Sequence, residues 1–220
     1  SIFGSKLAKQ TKVADTLPLP VELAETVAVV AGKPLPLHFT SDGQVNAILP
    51  YAIADNTRHQ LIVRKGASYS LPEPLLVATS EPAVFTVDGS GSGQGHIYVA
   101  TEEGLKLADA SRPAKPGEGV VIYATGLGPV VPTVKEGEPA PAEPLSKTVN
   151  PVTVTIQGKS VEVFFAGLAP GMAGIYQVNV RVPEGIKADA SAVLILSVGE
   201  QSTSPPVTMA VTPVEMEKSP

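Results

Sequence analysis

The segment Gln44-Val45-Asn46-Ala47-Ile48-Leu49-Pro50 returns 133 residues later as Gln177-Val178-Asn179-Val180-Arg181-Val182-Pro183. Three further anchors return in the same order. Ser1 to Ala8 matches Val121 to Gly128 at an offset of 120, which sets Phe3 over Tyr123 and Leu7 over Leu127. Val27 to Lys33 matches Val152 to Lys159, with Gly32 over Gly158 at an offset of 126, and Phe39 then falls on Phe165. Gln60 to Gly66 corresponds to the segment Leu194 to Glu200, aligned through Gly66 and Gly199 at an offset of 133, which sets Leu61 over Leu194. Strand propensity asks for Val and Ile at such places but not for Gln and Asn in fixed order. A repeat this much longer than a solenoid unit predicts two domains, each with its own core.

The growing offset places insertions in the second copy, among them the turn-like Leu168 to Gly174. In the second copy the residues matching Ser1-Ile2-Phe3 sit in mid-strand. The given chain therefore reads as part of a longer precursor or as a mature fragment, with a first strand that starts abruptly.

Composition supports packed β domains. Of 220 residues, 43% are hydrophobic and 17% charged, enough apolar material for cores and too little charge for a disordered tail. Aromatics are few, with 5 Phe, 5 Tyr and no Trp, so the cores must be built from Val, Ile, Leu and Ala. The 20 Gly and 22 Pro lie between short Val-rich runs as turn punctuation. A net charge of -5 with scattered Lys and Arg argues against nucleic acid and against a polybasic membrane patch. Cysteine is absent, which excludes disulfides and thiol chemistry. No run approaches the roughly 18 apolar residues of a membrane-spanning helix, so no membrane insertion is expected.

The pattern predicts an all-β chain of two tandem immunoglobulin-like β-sandwich domains, residues 1–80 and 113–213. Between them, residues 81–112 read as a linker: the flexible loop Asp88 to Gly95, then the strand-turn-strand segment Gly95 to Ala110. Residues 214–220 read as a frayed tail. Gly158-Lys159 is expected in a hairpin turn. Val161, Val163 and Phe165 alternate with Glu162 and Phe164, which predicts one buried face. The Pro-rich stretch Pro129 to Pro151 reads as an extended loop crossing between sheets. Only the segments near Leu19 and Glu102 have any helical character.

Chemistry is hard to find in this chain. Gly158-Lys159-Ser160 lacks the first glycine of a phosphate loop, because position 153 is Thr. His38, His59 and His96 lack ligand spacing for zinc. Glu102, Glu103, Glu136, Glu138 and Glu143 lie in expected loops with no sign of convergence, and no Asp-rich calcium loop appears. The expectation is no catalytic residue, no cofactor-binding residue, no metal ligand and no enzyme. Gln44 with Asn46, and Gln177 with Asn179, each share one strand face. They read either as a ladder contacting carbohydrate or as amides satisfying neighbouring backbone at a sandwich corner, and their repetition favours the second. Tyr51, Tyr69, Tyr98, Tyr123 and Tyr176 are the only tyrosines from which a sugar platform could be built.

The segments Ile122 to Pro129, Val154 to Pro183 and Val193 to Val211 resemble the uncharacterised C-terminal domain of large secreted proteins of Solibacter and related acidobacteria. Ser1 to Ala8 and Gly43 to Tyr51 match the first half of the same region. More remotely, Gly4 to Leu7 is similar to an element of IPT/TIG-type immunoglobulin-like domains. The resemblance implies extracellular placement, secreted or at the cell surface, and a non-catalytic fold with no catalytic residues. The expected function is a structural or interaction module that contacts protein, itself included, through strand edges and self-assembles into a surface filament. The alternative is a carbohydrate-binding accessory domain of a larger secreted protein.

Overall fold

A computed structural model describes residues 1–200 and 202–212, which form 22 strands and no helix. The chain groups into two compact units. Unit 1 comprises Ser1–Thr79, Pro132–Leu145 and Pro170–Gly174. Unit 2 comprises Ser80–Val131, Ser146–Ala169 and the described residues from Ile175 onward.

Unit 1 has two antiparallel sheets. One runs in the order β1 (Ile2–Phe3), β6 (Gln44–Ala47), β5 (Leu37–Thr40), β2 (Lys12–Val13). The other runs β4 (Lys33–Pro34), β3 (Thr26–Val30), β7 (Thr57–Lys65), β8 (Ser68–Tyr69), with β9 (Glu73–Val77) also on β7. Ala28 and Val30 from one sheet pack in a single core cluster with Leu37 and Val45 from the other, closed by Leu23, Leu35 and Ile53. Burying one such Leu or Val is worth about 1.5–3 kcal/mol.

Unit 2 carries a larger sheet of eight strands. Its order is β12 (Gly104–Leu107), β11 (Ile97–Thr101), β13 (Gly119–Thr125), β19 (Tyr176–Arg181), β18 (Val163–Leu168), β15 (Lys147–Thr148), β14 (Val130–Val131), and β10 (Ala83–Val84) also pairs with β13. Its second sheet runs β17 (Lys159–Val161), β16 (Val152–Ile156), β20 (Asp189–Val198), β21 (Ser202–Thr203), with β22 (Val207–Val211) also on β20. Ile97, Ile122, Val178 and Val180 from the first sheet and Val154, Ile156, Leu194 and Leu196 from the second are fully buried.

The pairings of the two units correspond strand by strand. Ile2 faces Val45 as Ile122 faces Val178, and Phe39 faces Asn46 as Phe165 faces Asn179. Val30 faces Leu61 as Ile156 faces Leu194. Both units break register at the same place, between Leu37 and Phe39 and between Val163 and Phe165. The first hairpin of each second sheet turns through Ala31-Gly32 or Gln157-Gly158, all four residues at positive φ. Such a two-residue turn matches the twist of the flanking strands.

Several expectations need adjusting. The hairpin turn is Gln157-Gly158, not Gly158-Lys159, because Lys159 already pairs with Ile156. The alternation expected through Phe165 is broken by the bulge: Val163 lies beside buried Val180, whereas Phe165 lies beside Asn179 on the opposite face. The strand-turn-strand expected over Gly95 to Ala110 forms as β11 and β12, paired through a turn at Glu102-Glu103, and the helical character near Glu102 is not realised.

Domain limits differ as well. Residues expected as a linker, 81–112, are part of unit 2, where β10 and β11 both extend the sheet from β13. The Gly/Ser loop is tied down within that unit. Gly91 N–H donates to Thr86 Oγ1 at 2.9 Å, Thr208 N–H to Gly93 O at 2.7 Å and Gly95 N–H to Thr208 O at 2.9 Å. The Pro-rich stretch and the inserted turn of the second copy supply two segments of unit 1. Leu19 N–H donates to Gly137 O at 2.8 Å, and Ala140 N–H to Met172 O at 2.9 Å. Irregular backbone must find hydrogen-bond partners somewhere, and hydropathy patterning does not say where. The expected tail, 214–220, and Pro213 lie outside the described residues.

Candidate functional site: an aromatic and amide face on the large sheet

Strand alternation sends Ile97, Ile122, Val178 and Val180 inward, so their neighbours Tyr98, Val121, Tyr123, Gln177 and Asn179 point to the other face of the large sheet. Register then lines these residues up in two rows. The first crosses five strands as Leu107, Tyr98, Val121, Asn179 and Phe165. The second crosses four as Tyr123, Gln177, Gly167 and Lys147.

Contacts fix the rings within these rows. Tyr98 and Tyr123 meet edge to face with centroids 5.8 Å apart, and His96 stacks on Tyr98 at 6.0 Å. The Tyr98 hydroxyl and His96 Nδ1 are 2.7 Å apart. Burial, with a smaller contribution from Tyr123, raises the Tyr98 phenol above its ordinary pKa, so it stays neutral.

Gly167 is small for a reason. A Cβ there would stand 2.2 Å from Ser146 O, so only glycine lets β15 approach β18. The space is taken by the Phe165 ring as well, whose Cζ would stand 2.9 Å from such a Cβ.

The amides do not serve the backbone. Gln177 Nε2 donates to Asn179 Oδ1 at 2.9 Å, and Gln44 Nε2 donates to Asn46 Oδ1 at 2.8 Å. Each pair satisfies one donor and one acceptor internally and leaves Gln Oε1 and Asn Nδ2 facing solvent. In unit 1 the pair lies between Phe3, which faces Gln44, and Phe39, which faces Asn46. The sandwich-corner reading is thereby replaced by a surface pair repeated in both units.

The histidines do not converge. His38 Nε2 lies 3.1 Å from Ala173 O, and His59 Nε2 lies 2.7 Å from Ala54 O. Burial lowers the His38 pKa, and the Ala173 carbonyl offsets this only in part. No group of three or more His, Asp or Glu that could hold a metal occurs among the described residues. Glu102 and Glu103 line a shallow depression with Thr101, Lys106 and Arg112, where Lys106 pairs with Glu103 at 3.5 Å. Glu138 pairs with Lys135 at 3.6 Å, while Glu136 borders a second depression beside Lys33 and Pro50. In unit 2 the firmest ion pair is Arg112 to Glu118 at 2.7 Å. Burial opposes ionisation of Glu118, but Arg112 and the Lys115 N–H outweigh it and hold the carboxyl below its ordinary pKa.

Of the tyrosines, Tyr69 is exposed and the Tyr176 hydroxyl donates to Gly128 O. Sequence reasoning named Tyr98 and Tyr123 without placing them together. Their meeting depends on the β11–β13 register, for which the only sequence signal was the strand-like character of both segments.

No family model matches the chain, and no curated protein does. Among solved structures it is similar to surface layer protein SbsC, domains 4–9, at 18% identity and a TM-score of 0.22, covering 91% of this chain. The chain spans 23% of the length of that structure.

Proposed function

We propose that this chain is a non-catalytic structural and interaction module displayed outside the cell, which joins to other copies of itself by pairing strand edges. The observation that carries the proposal is the edge of β2. In unit 2 the strand at the same place in its sheet, β15, is covered on its outer side by β14, with Thr148 facing Val130 and Lys147 facing Val131. In unit 1, β2 ends its sheet, and Val13 stands 65% exposed at that edge. At the far end of the large sheet, β12 is a second open edge, with Leu105 exposed.

An open edge is a template for an added strand. Two different edges that accept one another make a head-to-tail contact, which propagates into a filament unless it closes into a ring. Because the chain has no cysteine, the pairing can be tested cleanly. Mixing Val13→Cys with Leu105→Cys under mild oxidation is expected to give a mixed disulfide dimer in preference to either homodimer. Equal or absent cross-linking would refute β2–β12 pairing. Placement outside the cell draws support from the resemblance of Ile122 to Pro129 and Val154 to Pro183 to acidobacterial secreted proteins. Protease treatment of intact cells that leaves the chain uncut would contradict it.

A second reading, a carbohydrate-binding accessory domain, is favoured by the uncharged centre of the aromatic and amide face.

A further inference from the structure

We infer that the outer face of the large sheet in unit 2 is a binding site for a neutral, hydroxyl-rich polysaccharide, held by the Gln177–Asn179 amide pair between Tyr123 and Phe165. The inference rests on the carbohydrate-binding reading and gives it a location.

The chemistry follows from what the pair leaves unused. Gln177 Nε2 donates to Asn179 Oδ1, which fixes both amide planes. Gln177 Oε1 then faces outward as an acceptor, with Asn179 Nδ2 beside it as a donor. Two adjacent sugar hydroxyls present the complementary arrangement, one donating and one accepting. A side chain serving only the fold would have spent this capacity on backbone, as Gln157 Nε2 does on Lys187 O at 3.1 Å.

The aromatic neighbours supply the rest. Tyr123 faces Gln177 and Phe165 faces Asn179 across the strands, so a ring adjoins each end of the pair. Ring faces carry partial negative charge and favour the polarised C–H groups of a pyranose. Gly167, which faces Gln177, leaves room for the Phe165 ring, whose Cζ lies 2.9 Å from where a Cβ would stand.

Charge selects among ligands. The outward positions of β11, β13, β18 and β19 include no Asp or Glu. Arg181 stands at one margin, paired with Glu162 at 3.7 Å and donating to Gly117 O at 3.0 Å, and Lys147 stands at another. The centre therefore offers nothing to a polyanion or a polycation, and a neutral polymer fits it.

The test is affinity electrophoresis of the whole chain through gels containing hydroxyethyl cellulose, galactomannan or, as an anionic control, carboxymethyl cellulose. Retardation by at least one neutral polymer is expected. Tyr123→Ala and the double variant Gln177→Ala/Asn179→Ala should each weaken it about ten-fold or more. Tyr123→Phe should keep most of it, which guards against a folding defect. Retardation only in the anionic gel, or neutral binding unchanged in every variant, would overturn the inference. The second outcome would leave the accessory-domain reading standing with its site elsewhere, whereas no retardation in any neutral gel would remove both.

Discussion

Gln177 and Asn179 sit two residues apart on one strand face and are joined by a 2.9 Å hydrogen bond, and Gln44 and Asn46 form the same bond at 2.8 Å. Both pairs are half-buried, so each bond competes with water. A double-mutant cycle of Gln177→Ala and Asn179→Ala, read by chemical denaturation, should give a coupling of about 0.5–1 kcal/mol. A cycle at Gln44 and Asn46 should agree with it. Zero coupling at both would mean the amides are not paired in solution.

Ser204 and Ser70 make matching bonds in different surroundings. Leu196 N–H donates to Ser204 Oγ at 3.1 Å and Val63 N–H to Ser70 Oγ at 3.0 Å, but Ser204 is buried and Ser70 exposed. Ser204→Ala strands a buried donor and should destabilise unit 2 by about 1–3 kcal/mol. Ser70→Ala lets water take the vacated place and should fall at about 0.5 kcal/mol. Equal effects in denaturation curves would contradict the burial argument.

Gly126 and Lys6 hold matching positions, both with a left-handed backbone, φ 74° and 58°. A Cβ on Gly126 would lie 1.8 Å from Glu81 O, because in unit 2 the chain at Glu81 packs against this turn. Gly126→Ala should therefore cost on the order of 3 kcal/mol or more. At Gly32, also at positive φ but with open space around it, Gly32→Ala should cost about 1–2 kcal/mol. If the two variants melt alike, the close approach at Glu81 is not maintained.

His38 gives unit 1 a pH dependence. Its pKa in the folded protein is lowered by burial, so the neutral ring is favoured there relative to the unfolded chain. The associated stability is complete above the unfolded value of about 6.5 and is lost as the pH falls through the folded value. Thermal melts between about pH 8 and pH 5 should show a decline for the wild type that is reduced in His38→Phe. Phe already occupies the matching position, 164. An identical decline in both would assign the effect to other groups.

Much of this architecture was legible because strand runs rich in Val and Ile are bounded by Gly and Pro, and because Gln-Val-Asn marks the same strand twice. The partner of the amides was not legible. Two side chains on one strand face can serve the backbone or each other, and only the built sheet decides. Phe165 was assigned to the wrong face because the bulge after Val163 adds a residue that period-two counting cannot see. Tyr98 and Tyr123 meet through cross-strand register. The entry of residues 132–145 and 170–174 into unit 1 depends on where Pro-rich backbone finds hydrogen bonds, and composition carries no record of that.

The edge of β2 carries the self-assembly proposal. Sedimentation velocity across a concentration series, with electron microscopy of the most concentrated sample, tests it directly. Association that grows with concentration, ends in linear particles and is abolished by Val13→Pro, which removes an outward N–H and crowds the open edge, is the expected result. A wild-type chain that stays monomeric throughout, with no filaments, would contradict it.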